Sequence, residues 1–500
     1  MNYGQSDPIA ALATPLGESA IAIIRTSGTN DDGISAIQLL AQIFSKPEKL
    51  KKASGNSIVH GWILDNTSKG LQGSHIKFKK IDEVLISIYR APNSYTGEDS
   101  AEICCHGSIA VIKDLLEVLK KAGFREALPG EFTFRAFMNG KMDLTKAESI
   151  MELIASKTGK GREQAVRRLN GDLAKEIMAV KILLVELLTN VQIFLDYSED
   201  EFLYPNDETE GKLPGSKQAE DAVRRLQTLS GLWQLERLYS EGALAVLAGM
   251  PNAGKSSLFN YLLREERSIV TNIPGTTRDW IEASISIEGL PLRLADTAGI
   301  KETGEQDDST GDLAEKIGIE KSLALIDKAD LLLYVIDGTV GITETDRRFL
   351  LNNENISPKK PIIIIYNKSD IIDKTAAPEK PEIQGLEVPG RSLRVSAKTG
   401  EGIPPLLQNV GEILIQEAAS FIKDGMYDKA IGPGSIRQKE LIDSALENMK
   451  EVLSLSGMGE PLDIIAPLIK TAINALGEIT GEVSNAEILE TMFSNFCVGK

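Results

Sequence analysis

Residues 249–256, Gly-Met-Pro-Asn-Ala-Gly-Lys-Ser, carry the spacing G-x4-G-K-[ST] between an apolar run at 243–248 and an apparent helix at 257–263. Glycines allow tight backbone curvature, so amide hydrogens converge on phosphate oxygens at a helix N-terminus. Lys255 would lie on the β- and γ-phosphates and the Ser256 hydroxyl on Mg2+. Asp296-Thr297-Ala298-Gly299 closes a strand run, where Asp296 can reach Mg2+ through water and the Gly299 amide can meet the γ-phosphate. Asn367-Lys368-Ser369-Asp370 closes another. The Asp370 carboxylate can accept hydrogen bonds from guanine's ring N–H and exocyclic amine, a pattern adenine does not offer. Ser396-Ala397-Lys398 completes a wall for the base. Four such motifs, in this order and at strand ends, indicate a guanine-nucleotide hydrolase domain.

How water is activated is less ordinary. Ras-like enzymes orient it with a Gln just after the Asp-x-x-Gly motif. Ile300 stands there, and an apolar side chain cannot orient water. Residues 274–279, Pro-Gly-Thr-Thr-Arg-Asp, offer Thr277 as a second Mg2+ ligand. Asn252 has an oxygen able to hold a monovalent cation, or it simply forms the turn of the phosphate loop.

These residues need strands to end where they stand. Runs at 331–336 and 361–366 are continuously apolar, as central parallel strands covered on both faces are. This α/β section spans 242–416. Before it, 144 to about 195 and 218–241 have helical period, separated by an acidic, proline-punctuated loop. After it, Leu441, Ile442, Ala445, Leu446, Met449, Val452 and Leu453 form one stripe. Neither helical stretch has a second apolar layer of its own, so the two are expected to pack as one discontinuous bundle with the α/β domain inserted. Residues 1–143 alternate strand-like runs (84–89) with a helix at 109–119 and read as α+β. The expected boundaries are therefore 1–143, 144–241, 242–416 and 417–500.

Composition bounds the rest. The net charge is −17 over 500 residues, and the first 145 are close to neutral, so the excess negative charge lies beyond them. A surface that grips nucleic acid everywhere is excluded, and RNA would have to meet the N-terminal segment or a partner. Three cysteines, two of them adjacent (Cys104 and Cys105, expected in the core), build no disulfide framework and fit a reducing cytosol. No uninterrupted apolar run reaches a membrane span and no leader pattern opens the chain, so a cytoplasmic protein is expected. His60, His75 and His106 lack metal-ligand spacing.

The whole chain resembles the MnmE (TrmE) family of tRNA wobble-uridine modification GTPases. The resemblance rests on PNAGKSSLFN, IVTNIPGTTRD, DTAG and EKIGIEKS in the nucleotide domain. Outside it come ALATPLGESAIAIIRTSG, APNSYTGEDSAEICCHG, LPGEFTFRAFMNGKMDLTKAE and the terminal GEITGE and FCVGK. It implies an N-terminal tetrahydrofolate-binding and dimerisation domain, a split helical domain and an inserted Ras-like P-loop GTPase domain. The GTP surface would take in Asn252, Ala253, Gly254, Lys255, Ser256, Ser257, the loop Thr271, Asn272, Ile273, Pro274, Gly275, Thr276 and Thr277, then Asp296 to Gly299 (with Thr297 and Ala298), Asn367, Lys368, Asp370, Ser396, Ala397 and Lys398. Potassium would sit on Asn252, Thr276 and the backbone of Thr271 and Ile273, where other systems place an arginine finger. Glu315 matches the water-positioning acid, which is otherwise a solvated helix-face glutamate. Arg25, Glu102, Lys141 and Lys500 match positions around 5,10-methylenetetrahydrofolate or a related reduced folate, for which 5-formyltetrahydrofolate is an analogue. Cys497 is either chemically involved or a small buried residue, and Lys500 is a poor terminus for prenylation.

The resemblance further implies a homodimer, a flavoprotein partner, MnmG (GidA), forming a hetero-oligomer, and a tRNA substrate that receives an aminomethyl or carboxymethylaminomethyl group at C5 of the wobble uridine. The chain departs from the pattern at Met250 (usually Arg), at His106-Gly107-Ser108, at Val498 of the tail and in an acidic insertion at 305–313. A ribosome-assembly GTPase without modification chemistry is the alternative, and the motifs outside the nucleotide domain weigh against it.

Overall fold

A computed structural model describes residues 7–65, 79–196, 213–265, 282–287, 289–296, 325–353, 360–371, 392–419, 430–483 and 486–499. The chain divides into two compact units, Met1–Met151 with Ile473–Lys500, and Glu152–Ala472.

The first unit is built on a six-stranded sheet of β1 (Ile9–Leu12), β2 (Ser19–Ser27), β3 (Ser57–Asp65), β4 (Lys79–Tyr89), β5 (Ser100–Gly107) and β6 (Arg125–Glu126), in the order β3-β4-β5-β2-β1-β6. All its pairs are antiparallel except β1 with β6. Alternation decides what each face buries. Val84, Ile86 and Ile88 of β4 are buried in the same core as α1 (Ala36–Gln42), α2 (Pro47–Lys52) and α3 (Ile109–Lys121), whereas Ile21, Ile58 and Leu85 point away from it and are exposed. Within α3 the spacing read from the sequence holds, with Ile112, Leu115 and Leu119 buried.

Two shorter helices, α4 (Glu131–Met138) and α5 (Leu144–Ala155), follow. Fully buried Glu131 accepts from Arg125 at 2.7 Å, Arg135 at 2.9 Å and the Leu128 amide at 2.8 Å, so β6 and α4 are joined through one carboxylate. The chain's end returns here. Phe493 of helix Ala486–Ser494 packs edge-on against Phe134, its ring 5.4 Å away, in a cluster with Leu144, Ala147 and Phe496.

The second unit opens with α6 (Gly159–Leu169), α7 (Asp172–Asp196) and α8 (Ser216–Glu241). The sequence reading made 144 to about 195 one helical stretch. It is three helices, because Thr158 caps α6 by accepting from the Gly161 amide at 3.2 Å and Asn170-Gly171 interrupts the next turn. α7 is long and apolar enough to cross a membrane by length and composition alone (mean hydropathy 1.8), and 28% of that stretch is buried within this chain. The sequence reading missed it because Lys181 and Glu186 break the run. Its Leu173, Ile177, Val180, Leu184 and Leu187 are fully buried.

α8 passes through Gly242 into β7 (Ala243–Ala248). There follow α9 (Lys255–Glu265), β8 (Glu282–Ile287), β9 (Leu290–Asp296), β10 (Leu331–Asp337), α10 (Glu344–Asn353), β11 (Ile362–Asn367), β12 (Ser392–Arg394) and α11 (Ile403–Ala418). The strands form one sheet, β12-β11-β10-β7-β9-β8, parallel except for β8. Both β7 and β11 are buried at every position, as covered parallel strands require. α12 (Ile436–Met458) packs beside α8, where the Ser230 hydroxyl donates to Asp443 at 2.7 Å.

One buried charge cluster ties this unit together. The Arg168 guanidinium, 2% exposed, bonds Glu152 at 2.7 Å and Glu236 at 2.8 Å, and Glu236 also accepts from the Gly432 amide at 3.1 Å. α6, α8 and the segment returning to α12 are thereby fixed to one another.

Candidate functional site

The phosphate loop follows β7 and opens α9, and backbone crowding dictates its glycines. Gly254 has φ +92°, and a Cβ there would stand 2.1 Å from Asn367 Nδ2. Gly249 has φ +137° and would meet the Val335 carbonyl at the same distance. Lys255 is nearly buried, its ammonium donating to the carbonyls of Gly249 at 2.9 Å and Met250 at 3.0 Å. The Ser256 hydroxyl donates to Asp296 Oδ2 at 2.7 Å. A hydroxyl and a carboxylate from two sequence-distant motifs are thus side by side, the hard oxygen donors that suit Mg2+. Asn252 has φ +65° and is exposed on the loop, and Ser257 is exposed in the first turn of α9.

Asn367 joins the motifs. Its Nδ2 donates to the Ala253 carbonyl at 3.0 Å and its Oδ1 accepts from the Ala397 amide at 3.1 Å. The Ser396 hydroxyl donates to Asp370 at 2.7 Å and accepts from the amides of Lys398 and Thr399. The base wall expected from the sequence is therefore one hydrogen-bonded piece, continuous with the phosphate loop. Thr271, Asn272, Ile273, Pro274, Gly275, Thr276, Thr277, Thr297, Ala298, Gly299, Glu315 and the 305–313 segment lie outside the described residues. So does Lys500.

In the first unit Arg25 is paired with Glu102 at 2.8 Å and flanked by the rings of Tyr95 and Phe132 at 5.4 and 5.8 Å. These four, with Tyr89, Thr96, Ser100 and Ala101, line a cavity of about 250 Å³. Its floor of ion pair and aromatic faces has the chemistry to take a flat heteroaromatic group. Lys141 does not line it, because its ammonium donates to the Pro92 carbonyl at 2.9 Å. The tail reaches one of these side chains and the N-terminus of α4. Arg25 Nη1 donates to the Gly499 carbonyl at 3.1 Å, and the Gly130 amide donates to that of Cys497 at 3.3 Å. Cys497 is exposed. Of the adjacent pair, only Cys105 is in the core, where burial, aided by Asp82 and Cys104, pushes its thiol up to about 11. Cys104 is half-buried, a correction to the reading of both as core.

Two family models cover almost the whole chain: the TrmE N-terminal domain matches residues 8–141 and the MnmE helical domain residues 144–497. The tRNA modification GTPase MnmE of Treponema denticola is 41% identical across 100% of this chain and 99% of its own length. That of Carboxydothermus hydrogenoformans is 37% identical across 99% of each. The chain belongs to the MnmE (TrmE) family of tRNA-modification GTPases. As a member of that family it binds and hydrolyses GTP. The G domain of the Thermotoga maritima FeoB iron transporter aligns at 28% identity over 34% of this chain and 97% of its own. The TM-score is 0.24, too low to compare whole arrangements.

Among the described residues beside these motifs, one further side chain is not picked out by the motifs. Asp337 ends β10 in register with Asn367 and accepts from the Lys368 ammonium at 2.6 Å. An acidic residue closing an otherwise apolar strand run was the signal available.

Proposed function

We propose that this chain is a potassium-activated GTPase that works with the MnmG flavoprotein, as a homodimer within a hetero-oligomer, to build an aminomethyl-type group at C5 of the wobble uridine of certain tRNAs. The observation that carries this reading is the contact of the C-terminal tail with the Arg25–Glu102 cavity, through the Gly499 carbonyl that accepts from Arg25. A site for one-carbon chemistry needs a reduced folate and a reactive group together; this contact supports Arg25 and Glu102 as part of the folate-binding set, to which the family resemblance adds Lys141 and Lys500, with Cys497 as a reactive thiol.

Hydrolysis in this reading uses Lys255 on the phosphates, Ser256, Thr277 and Asp296 around Mg2+, and Lys368, Asp370 and the Ser396–Lys398 wall on guanine. The close pairing of Ser256 with Asp296 supports the metal assignment. Mg2+ and K+ would supply charge neutralisation at the transferred phosphoryl group. Asn252 and the 271–276 loop hold K+, and Glu315 orients water. The exposed Ile21, Ile58 and Leu85 on the outward face of the first sheet support that face as the surface for a second copy. The boundaries 1–143, 144–241, 242–416 and 417–500 and a cytoplasmic site of action belong to the same reading.

Nucleoside analysis of bulk tRNA from cells lacking this chain tests it. Loss of C5-modified wobble uridines is expected, and their full retention would overturn it. The hydrolytic half is tested separately by turnover in potassium against sodium at matched ionic strength. A difference is expected that Asn252→Ala abolishes, and equal rates would remove the cation.

A further inference from the structure

The ammonium of Lys368 has an uncommon fixture. Lys368 adopts φ +66°, the left-handed region that residues with a Cβ seldom enter, between Asn367, which is bonded to the phosphate loop, and Asp370. Its backbone is pinned there, its carbonyl accepting from the Ile371 amide at 3.1 Å while the next amide, of Ser369, donates to Val395 at 3.0 Å. Its side chain is turned toward β10 by Asp337 Oδ2 at 2.6 Å. The other oxygen of Asp337 accepts from the Thr339 amide at 2.9 Å and the Thr339 hydroxyl at 2.6 Å, and the Gly338 amide donates to the Asn367 carbonyl at 2.9 Å.

Most exposed lysine–carboxylate pairs contribute little, because two mobile side chains lose entropy on meeting in a screened medium. Here the carboxylate is already immobilised by its own turn. The side chains of Asp337 and Lys368 are only 22% and 34% exposed. Burial alone would raise the Asp337 carboxyl, yet the contacts from Lys368 and Thr339 outweigh it and hold it below the usual aspartate range. The partner is therefore a fixed anion.

We propose that Asp337 is a positioning residue for the guanine nucleotide: by anchoring Lys368 it holds the strained Asn367–Asp370 turn in the form that receives the base, and so sets nucleotide affinity without entering the hydrolytic step. This rests on the assignment of Lys368 and Asp370 to guanine, and it adds a second-strand carboxylate to a site otherwise built from β7, β9, β11 and the loop after β12.

The test is equilibrium titration of the full-length protein with GDP and with a non-hydrolysable GTP analogue, beside steady-state hydrolysis. Asp337→Ala is expected to weaken both nucleotides about tenfold and to raise KM by a similar factor, with kcat at saturating GTP within about twofold. Lys368→Ala is expected to lose at least as much, and the double variant no more than Lys368→Ala alone, because one interaction is removed in all three. Losses that multiply in the double variant would mean that Asp337 acts through its own turn, and would overturn the proposal. Unchanged affinity in Asp337→Ala beside a weakened Lys368→Ala would also overturn it. Unchanged affinity in both would instead remove the guanine assignment on which it rests. Should Asp337→Ala fail to fold, Asp337→Asn keeps an oxygen for Thr339 while removing the charge. The same weakening is expected, and wild-type affinity would overturn the proposal.

Discussion

Gly254 faces Asn367 so closely that the two residues constrain each other. Gly254→Ala is expected to abolish measurable GDP binding and to lower stability by about 1–3 kcal/mol, since the new methyl must displace an amide that spans two motifs. GDP titration with a thermal melt checks both, and near-normal affinity would mean the loop can open without cost. At this scale the grouping of the described motif residues is legible in the sequence. Fixed spacing after strand runs brought Lys255, Ser256, Asp296, Asn367, Asp370 and Ser396 together because parallel strands deliver their ends to one edge. Asp337 was not legible, since nothing in one sequence tells which carboxylate a lysine meets across a ladder. Lys141 shows a second limit: a motif position names a residue but not where a long flexible side chain will find its partner. Cys104 and Cys105 show a third, because adjacent strand residues point to opposite faces and could not both enter one core.

Between residues and whole domains, buried charge joins helices that apolar stripes pack together. Arg168→Met removes a buried guanidinium bonded to both Glu152 and Glu236 and is expected to cost about 3–5 kcal/mol, read by urea denaturation. A loss below about 1 kcal/mol would show that water or protonation replaces the guanidinium. Glu131 carries a pH dependence. Burial alone would raise its carboxyl, but bonds from Arg125, the Leu128 amide and Arg135 prevail and hold it below the usual glutamate range. Its stabilisation is therefore complete above the unfolded-chain value and is lost as pH falls through the depressed folded-state value. Between about pH 6 and pH 3 the wild type is expected to lose more melting temperature than Glu131→Gln, and parallel losses would assign the acid sensitivity elsewhere. Helical period is plain along 144 to about 195, and the breaks within it are less so. Thr158 and Asn170-Gly171 are ordinary cap and turn signals, and they flank a short polar helix whose period continues that of its neighbours. α8 was read nearly to its ends. It is a 26-residue rod, about 39 Å long, that hands the chain to β7 through Gly242.

At the scale of the molecule, the chain's last residues complete its first unit. Deleting residues 497–500 is expected to abolish tRNA modification while leaving GTP hydrolysis within about twofold, because the tail bonds Arg25 and Gly130 whereas the nucleotide motifs lie between 249 and 398. Nucleoside analysis beside phosphate release measures both. Retained modification would return the tail to a frayed end, and loss of both activities calls for Cys497→Ser and Lys500→Ala, which leave helix Ala486–Ser494 whole. The split between helical segments was legible from the abrupt change of period at 242, whereas the capture of the C-terminus by the first unit came only from family resemblance, since no local pattern encodes a bond 474 residues long. That separation has a consequence in time. On the ribosome, residues 1–151 emerge long before 473–500, and synthesising the roughly 320 residues between them at about 5–20 per second takes on the order of 16–64 s. Throughout that interval Phe134, Leu144 and Ala147 have no Phe493 or Phe496 to cover them, so the nascent N-terminal unit waits with an open aromatic seam that only the end of translation can close.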